Sequence, residues 1–257
     1  MPQYVEVPLP GRESLRGDLR PGGPSDLAIV YVHGFGSHRG GEKAVSLAAE
    51  CTRRGWTFAA FDFRGHGETG GEMRALTASR LLEDLSAVRA FLSERGYPRL
   101  GLVGSSMGAF AAAWFAARYP EAVAGCVLIA PAFRFLDRRW DELTPAERDE
   151  WARTGVRRLR NEWVDVEIGY GLVAERAAYD PTELARRWRT PLLIFHGMAD
   201  DVVPAADSLA FVEATSYPDV ELRLIKAGDH RLTTFKDEIA VEVCRFLTRV
   251  AGQNVQS

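Results

Sequence analysis

The amino-acid sequence predicts one α/β domain built around a mostly parallel, twisted, eight-stranded sheet that is flanked by helices. Three observations lead to this prediction. Short apolar runs alternate with segments of helical pattern along most of the chain. Most of these runs are continuous, as is typical of parallel strands that are buried on both faces. The chain of 257 residues, 46% of them hydrophobic, is also long enough to bury one sizeable core.

Eight predicted strands are separated by turn residues or by predicted helices. The first two form an N-terminal hairpin around Pro10–Gly11, which the proline and glycine cluster at 21–24 ends. The other six alternate with helices, so right-handed crossovers should make them parallel. In chain order the strands are Tyr4–Val7, Leu15–Leu19, Leu27–Val32, Thr57–Phe61, Leu100–Val103, Val123–Ala130, Leu192–Phe195 and Val220–Ile225.

The helices are predicted from apolar periodicity and from residues that start or stop helices. Thr77 can cap a helix that runs to about Arg95, with its apolar positions on one face and Gly96 at its end. A further helix begins directly after Gly108 and stops at Tyr119–Pro120. The remaining predicted helices are about Gly41–Arg54, Ala205–Ala214 and Asp237–Val250.

The alternation stops at Phe133, where a charged and aromatic segment begins. Thr144 and Pro145 indicate a helix start, and no β-type run is recognised before Leu192. We therefore interpret residues 133–190 as a small helical cap inserted into a core formed by residues 1–132 and 191–257. Its aromatic residues either line an apolar substrate site or fix the cap to the sheet. These residues are Phe133, Trp140, Trp151, Trp163 and Tyr170.

Composition argues against several classes of protein. The net charge of −3 and the pI near 6.0 give no polyanion-binding signature, so nucleic acid is not an expected partner. No run approaches the 18 apolar residues of a membrane span. The N-terminus has no basic segment followed by an apolar run, so we expect no secretory signal and a cytoplasmic location.

The cysteines and glycine-rich loops indicate neither a metal nor a cofactor. Cys51, Cys126 and Cys244 are isolated in apolar surroundings, and we expect them to be buried thiols in a reducing compartment. No histidine or cysteine cluster has metal-ligand spacing. The loops containing Gly34 and Gly65 match neither a dinucleotide fingerprint nor a P-loop. No cofactor is therefore predicted.

The segment Leu100–Gly108 contains the strongest motif of the chain, G-x-S-x-G between a predicted strand and a predicted helix. A turn this tight forces Ser106, its central residue, into strained backbone geometry. A side chain at Gly104 or Gly108 would collide with the neighbouring strand or helix. The pattern predicts that Ser106 Oγ projects beyond the end of the sheet as a nucleophile.

A serine nucleophile needs a neutral imidazole as base and an acid that fixes its tautomer. His230 follows the last predicted strand in Gly-Asp-His, and we predict that it is the base. The acid is either Asp200 or Asp201, both of which follow the strand Leu192–Phe195. Asp200 is favoured, and Asp229, next to the base, is a weaker third candidate.

Three of the other four histidines are assigned structural roles. His33 should hold the loop whose Phe35 N–H would donate to the oxyanion, and the second donor would be Met107 N–H at the start of a helix. His66 is assigned to loop structure, with direct substrate contact as the alternative. His196 should fix the turn that carries the acid. His38 has no informative context, and we expect it to be solvated.

Together these motifs resemble those of the α/β-hydrolase superfamily across nearly the whole chain. The resemblance implies the α/β-hydrolase fold, with Ser106 as nucleophile, Asp200 as acid and His230 as base. It also implies oxyanion donors at Phe35 and Met107. Serine at the turn argues against relatives that cleave epoxides or haloalkanes, since those carry aspartate there. The motifs are most similar to the branch of palmitoyl-protein thioesterases and acyl-glucuronide esterases and their bacterial relatives. The superfamily resemblance rests on segments 33–36, 62–68, 104–108, 196–204 and 228–230, and the similarity to this branch rests on segments 103–108, 196–204 and 229–231.

The predicted function is a carboxylesterase that hydrolyses small-molecule esters of short-to-medium acyl chains. An insertion of about 57 residues is short for a deep lipase tunnel, and this sets the expected chain length. Acyl-protein or acyl-CoA thioesterase activity is an alternative, because the same residues serve both reactions. A non-catalytic binding protein on the same fold is a second alternative. The oligomeric state is left open.

Overall fold

The computed structural model describes residues 2–11, 13–160 and 164–253. Eight of its strands form one sheet in the order β1-β2-β4-β3-β5-β6-β9-β10, and the other two form a separate hairpin. The strand β2 is antiparallel to β1 and β4, and all other neighbouring pairs are parallel. The strands are β1 (Gln3–Pro8), β2 (Ser14–Arg20), β3 (Leu27–Val32), β4 (Thr57–Phe61), β5 (Arg99–Ser105), β6 (Val123–Ile129), β7 (Val156–Arg160), β8 (Asp165–Gly169), β9 (Leu192–Gly197) and β10 (Val220–Ile225).

All eight predicted strands are present, with ends that differ by at most two residues. The helices expected outside the insertion are present as well, and Thr77 Oγ1 accepts the N–H of Arg80 as the predicted cap. The helices are α1 (Glu42–Arg53), α2 (Ala78–Ser93), α3 (Met107–Arg118), α4 (Phe135–Asp141), α5 (Pro145–Thr154), α6 (Gly171–Ala174), α7 (Pro181–Arg187), α8 (Ala205–Ala214) and α9 (Lys236–Gln253).

Helices cover both faces of the sheet and bury two hydrophobic clusters. The helices α1 and α9 pack on one face, and α2, α3 and α8 contribute to the cluster on the other. Glycines let α9 approach the sheet closely. A Cβ at Gly101 would lie 3.0 Å from Leu247, and one at Gly125 would lie 3.1 Å from the same side chain. This packing fixes the strands whose carboxyl ends carry the motifs.

The insertion is not purely helical, so this part of the prediction was wrong. The strands β7 and β8 form an antiparallel hairpin in which Leu159 faces Val166. Charged residues alternate with apolar ones in β8, whereas β7 has two adjacent arginines, and Arg158 lies opposite Glu167 and pairs with Asp165. The strands were not recognised because the pattern in β7 is irregular and no glycine or proline lies in the sequence between β7 and β8.

Two cap aromatics fix the insertion to the rest of the fold. Phe133 is buried and stacks on Phe211 of α8, with ring centres 4.4 Å apart. Trp151 is also buried, in the hydrophobic cluster that includes residues of the sheet, and it packs edge-on against Tyr170 of the cap. Trp140 and Tyr170 are partly buried against the same core. Trp163 lies outside the described residues, so its predicted role stays a prediction.

The three cysteines are free and buried, as expected. Cys51 of α1 and Cys244 of α9 are nevertheless not isolated in space, because their side chains form a hydrogen bond. This contact and burial raise the pKa of the Cys51 thiol. None of the helices in the described ranges combines the length and apolar character needed to cross a bilayer.

Candidate active site

Ser106 occupies the strained turn between β5 and α3. Its backbone has φ 54° and ψ −115°, a conformation that residues other than glycine rarely adopt. A Cβ at Gly104 would lie 2.5 Å from the carbonyl oxygen of Gly108, and one at Gly108 would overlap the carbonyl oxygens of Val32 and His33. The turn therefore requires both glycines, as the sequence predicted, and Ser106 remains partly exposed.

The structure brings Ser106, His230 and Asp200 into one hydrogen-bonded chain. His230 Nε2 lies 3.1 Å from Ser106 Oγ, and its Nδ1 lies 2.8 Å from Asp200 Oδ2. A carboxylate accepts hydrogen bonds, so the imidazole proton resides on Nδ1 and Nε2 is free to accept the Ser106 hydroxyl proton. This tautomer is the one that base-assisted attack by a serine requires.

The carboxylate of Asp200 is buried and fully used in hydrogen bonds. Its Oδ1 accepts the N–H groups of Val202 and Val203 at 2.9 and 2.7 Å. Its Oδ2 accepts from His230 and also lies 3.2 Å from His196 Nε2. Burial by itself would raise the pKa of Asp200, but these hydrogen bonds outweigh it and hold the pKa well below its ordinary value. The group is therefore an anion near neutral pH.

The other two acid candidates lie away from the imidazole. Asp201 is exposed. Asp229 is also exposed, and its Oδ1 accepts the N–H of Leu232 at 2.7 Å, which braces the loop that carries His230. Lys43 of α1 holds the same loop by donating to the carbonyl oxygen of Arg231 at 2.6 Å. The sequence contained no signal for Lys43.

The geometry around Gly34 orients the Phe35 N–H. The carbonyl oxygen of Gly34 accepts from Ser37 N–H and from His33 Nδ1, at 3.2 and 2.8 Å. Since the peptide is trans, the N–H of Phe35 points away from both donors. A Cβ on Gly34 would lie 3.4 Å from Ser106 Cβ, so this loop lies directly against the serine.

His33 is a neutral structural residue, in agreement with its predicted role. It is fully buried, and its Nε2 accepts the N–H of Phe63 at 3.0 Å. Burial, assisted by neighbouring His66, lowers the pKa of His33 to about 4. The unprotonated Nε2 and the Nδ1–H can therefore serve both bonds at neutral pH.

The remaining histidines also have defined surroundings. His196 is buried and contacts Ser208 Oγ at 2.7 Å and Val203 O at 3.0 Å, so it fixes the turn that carries Asp200. His38 is exposed, and its Nδ1 accepts the N–H of Gly40. His66 packs against Phe35, and burial lowers the pKa of His66. Its Nε2 has no hydrogen-bond partner among the described residues.

The two predicted oxyanion donors flank the serine in sequence or in space. Met107 is the first residue of α3, so its N–H has no acceptor within the helix. Neither Phe35 N–H nor Met107 N–H is hydrogen-bonded to another group in the described part of the chain. Within those ranges, no group of three or more histidine, cysteine or acidic residues is arranged to hold a metal ion.

Comparison with known proteins gives consistent similarities. A profile of the family described as serine aminopeptidase, S33 matches residues 23–146 and 158–237. The mitochondrial palmitoyl-protein thioesterase ABHD10 of Mus musculus is 28% identical over 219 residues, covering 84% of this chain and 72% of that protein.

Among solved structures, a putative hydrolase from Agrobacterium vitis S4 superposes with a TM-score of 0.84 at 28% identity, covering 96% of this chain and 98% of that one. Mouse alpha/beta hydrolase domain-containing protein 10 superposes with a TM-score of 0.82 at 24% identity, covering 98% of this chain and 99% of that one. The sheet order, the strained serine turn and the family match agree, and the chain therefore belongs to the serine aminopeptidase S33 family of hydrolases with the α/β-hydrolase fold.

Proposed function

We propose that this protein is a serine hydrolase that cleaves carboxylic esters of short-to-medium acyl chains through an acyl-enzyme intermediate. The observation that carries the proposal is the hydrogen-bonded chain from Ser106 Oγ through His230 to Asp200. A serine hydroxyl is a weak nucleophile without a base, and here a correctly oriented neutral imidazole accepts from it. The family match supports hydrolysis as the reaction class.

In this mechanism Ser106 Oγ attacks the ester carbonyl carbon while His230 Nε2 takes the hydroxyl proton. Asp200 stabilises the imidazolium that forms, and the N–H groups of Phe35 and Met107 bind the oxyanion. Collapse of the tetrahedral intermediate breaks the bond to the alcohol, which receives the proton from His230. Water then attacks the acyl-enzyme with His230 as base, and the carboxylic acid leaves.

The aromatic residues beside the serine support an apolar acyl site. Phe35 packs against Phe135 of the cap, and Phe135 and Tyr179 both pack against Phe110 of α3. Phe35 is the partly exposed ring of this group and offers apolar surface next to the reacting carbonyl, while the buried rings behind it hold it in place. The insertion is short, which favours short-to-medium chains. A chain-length series of p-nitrophenyl esters that peaks at C16 would contradict this preference.

Thioester hydrolysis is the second candidate, and one observation favours it. The mouse relative, 28% identical to this chain, is named a palmitoyl-protein thioesterase. The same serine, histidine and acid would act on either carbonyl, so a matched pair decides between the reactions. The two substrates are the butanoyl ester of an alcohol and the butanoyl thioester of the corresponding thiol. Assayed in parallel, they give the ratio of kcat/KM for ester hydrolysis to kcat/KM for thioester hydrolysis.

Replacing the nucleophile tests the proposed function. We expect Ser106→Ala to lower kcat/KM on p-nitrophenyl butyrate by at least about a thousandfold and to abolish labelling by a fluorophosphonate probe. The matched control is Ser105→Ala. Ser105 is a buried neighbour whose side chain bonds Tyr31, so this variant should keep activity and labelling. Turnover retained by a folded Ser106→Ala protein would reject the mechanism.

A further inference from the structure

Arg139 of the cap lies over two aromatic rings next to the proposed nucleophile. Its guanidinium carbon is 5.2 Å from the centre of the Phe35 ring and 5.8 Å from that of Phe135. Phe35 follows Gly34, which lies against Ser106. Phe135 N–H donates to the carbonyl oxygen of Ala132, whose own N–H lies 3.3 Å from Ser106 O. Both rings therefore belong to segments that contact the serine.

The charge of Arg139 has no partner in the described part of the chain. Two neighbouring arginines are paired: Arg134, directly before α4, pairs with Asp141, and Arg138 of α4 pairs with Asp207. Arg139 makes neither a hydrogen bond nor an ion pair there. Glu142, an exposed carboxylate, acts on it only at longer range.

The surroundings of Arg139 disfavour an unpaired charge. The side chain is partly buried, and burial lowers the pKa of Arg139, although a guanidinium stays protonated at neutral pH. The contact of the guanidinium with the two aromatic rings compensates for only part of the lost hydration. The planar N–H donors of a guanidinium fit a carboxylate, and no carboxylate of the described residues lies within ion-pair distance of Arg139.

We propose that Arg139 is a substrate-binding residue that pairs with a carboxylate of the substrate. The preferred substrates are then esters or thioesters that carry a negative charge on the acyl chain or on the leaving group. This inference rests on the proposed function, because it places the anion beside Phe35 and Ser106. It adds a specificity-determining residue that none of the sequence motifs contains.

Two matched substrate pairs test the proposal and locate the charge. On the acyl side, the mono-p-nitrophenyl ester of adipic acid is compared with p-nitrophenyl hexanoate. On the leaving-group side, 4-(butanoyloxy)benzoate is compared with its methyl ester. For each pair the readout is the selectivity ratio, which is kcat/KM for the anionic ester divided by kcat/KM for the neutral one.

We expect Arg139→Gln to lower the selectivity ratio of at least one pair by about 10- to 100-fold, the range for losing a hydrogen bond to a charged group. Arg139→Lys keeps the charge without the fork geometry, so its ratio should fall less. The matched control is Arg134→Gln directly before the same helix, which should keep both ratios within about twofold. In the wild-type protein the ratio should also fall as salt screens the pair.

An unchanged ratio in folded Arg139→Gln, including an equal loss on both members of each pair, would overturn the proposal. Equal losses would mean that Arg139 only holds Phe35 in place. Failure of the proposed function gives a different result, because the wild-type protein would then hydrolyse neither member and would not be labelled at Ser106.

Discussion

Asp200 accepts three hydrogen bonds and contacts a second imidazole, and this explains how a single carboxylate can hold His230 in one orientation. Two backbone N–H groups fix Oδ1, His230 bonds Oδ2, and His196 Nε2 lies 3.2 Å from the same oxygen. A buried anion with this many donors is strongly favoured over its protonated form. His196 therefore acts on the proposed base indirectly, by holding the acid.

We predict that Asp200→Asn lowers kcat/KM on a neutral p-nitrophenyl ester by about 10³- to 10⁴-fold at neutral pH. The amide nitrogen would face the imidazole nitrogens as a donor, which favours the wrong tautomer of His230. The control is Asp201→Asn, the exposed neighbour, which should keep activity within about twofold. If Asp201→Asn caused the large loss instead, the assignment of the acid would be wrong.

At this scale the sequence could predict the residues that belong to motifs. Ser106, Asp200 and His230 each follow a strand, and strand ends of a parallel sheet meet at one edge. The sequence could not predict Lys43 or Arg139. Arginine is abundant in this chain, and neither side chain belongs to a local pattern. Their positions depend on how α1 and the cap pack, which is long-range information.

Besides α4, the hairpin β7–β8 brings the cap close to the loop 33–36, the oxyanion loop, which carries the Phe35 N–H. Val164, directly before β8, lies so close to Gly36 that a Cβ on this glycine would overlap Val164 Cγ1. Gly36 has φ 66° and ends the turn that contains Phe35. The hairpin therefore limits where the Phe35 N–H can lie.

We predict that Gly36→Ala lowers kcat by about tenfold or more, because the new methyl group displaces the turn that carries an oxyanion donor. Adding Val164→Ala removes the overlapping methyl and should restore most of the loss, which a double-mutant cycle measures. The control is Gly96→Ala, where φ is 88° and no atom lies within 4 Å of the new Cβ. That variant carries backbone strain alone and should keep kcat. Without restoration by Val164→Ala, the hairpin would not control the loop.

The elements outside the insertion were predictable because periodicity and caps are local signals. Thr77 predicted its own helix, and buried runs such as Leu27–Val32 predicted strands with the observed bounds. The hairpin was not predictable in the same way. Its strands are five residues long and half charged, and their pairing is stabilised by cross-strand contacts such as Arg158 with Asp165.

The stability of the whole molecule in mild acid depends on buried groups with opposite effects. The pKa of His33 is lowered to about 4 from 6.5, so the unfolded chain binds more protons and stability is lost as the pH falls through this range. Burial raises the pKa of Asp84 to about 6 from 3.8, although Arg64 donates to it. The folded protein then binds more protons, and stability is gained as the pH falls from about 6 to 4. The two contributions partly cancel.

We predict that Asp84→Asn makes the protein more sensitive to acid between pH 6.5 and pH 4. The difference in the free energy of unfolding, wild type minus variant, should grow by up to about 3 kcal/mol as the pH falls. Urea denaturation at several pH values measures this change, even if the substitution also changes the free energy of unfolding at pH 7. Leu85→Ala, which removes no titrating group, should give an offset independent of pH. A difference that shrinks on acidification would contradict the raised pKa of Asp84.

Gly108 packs directly against the backbone of Val32 and His33, and this contact has a consequence for engineering the cap. The strand before the oxyanion loop and the helix behind the nucleophile touch through main-chain atoms, with no side chain between them. Their spacing therefore does not depend on how neighbouring side chains pack. An engineer who exchanges the cap for a different one should find this spacing unchanged, whereas the position of the Phe35 N–H and the choice of molecule that enters the site should differ.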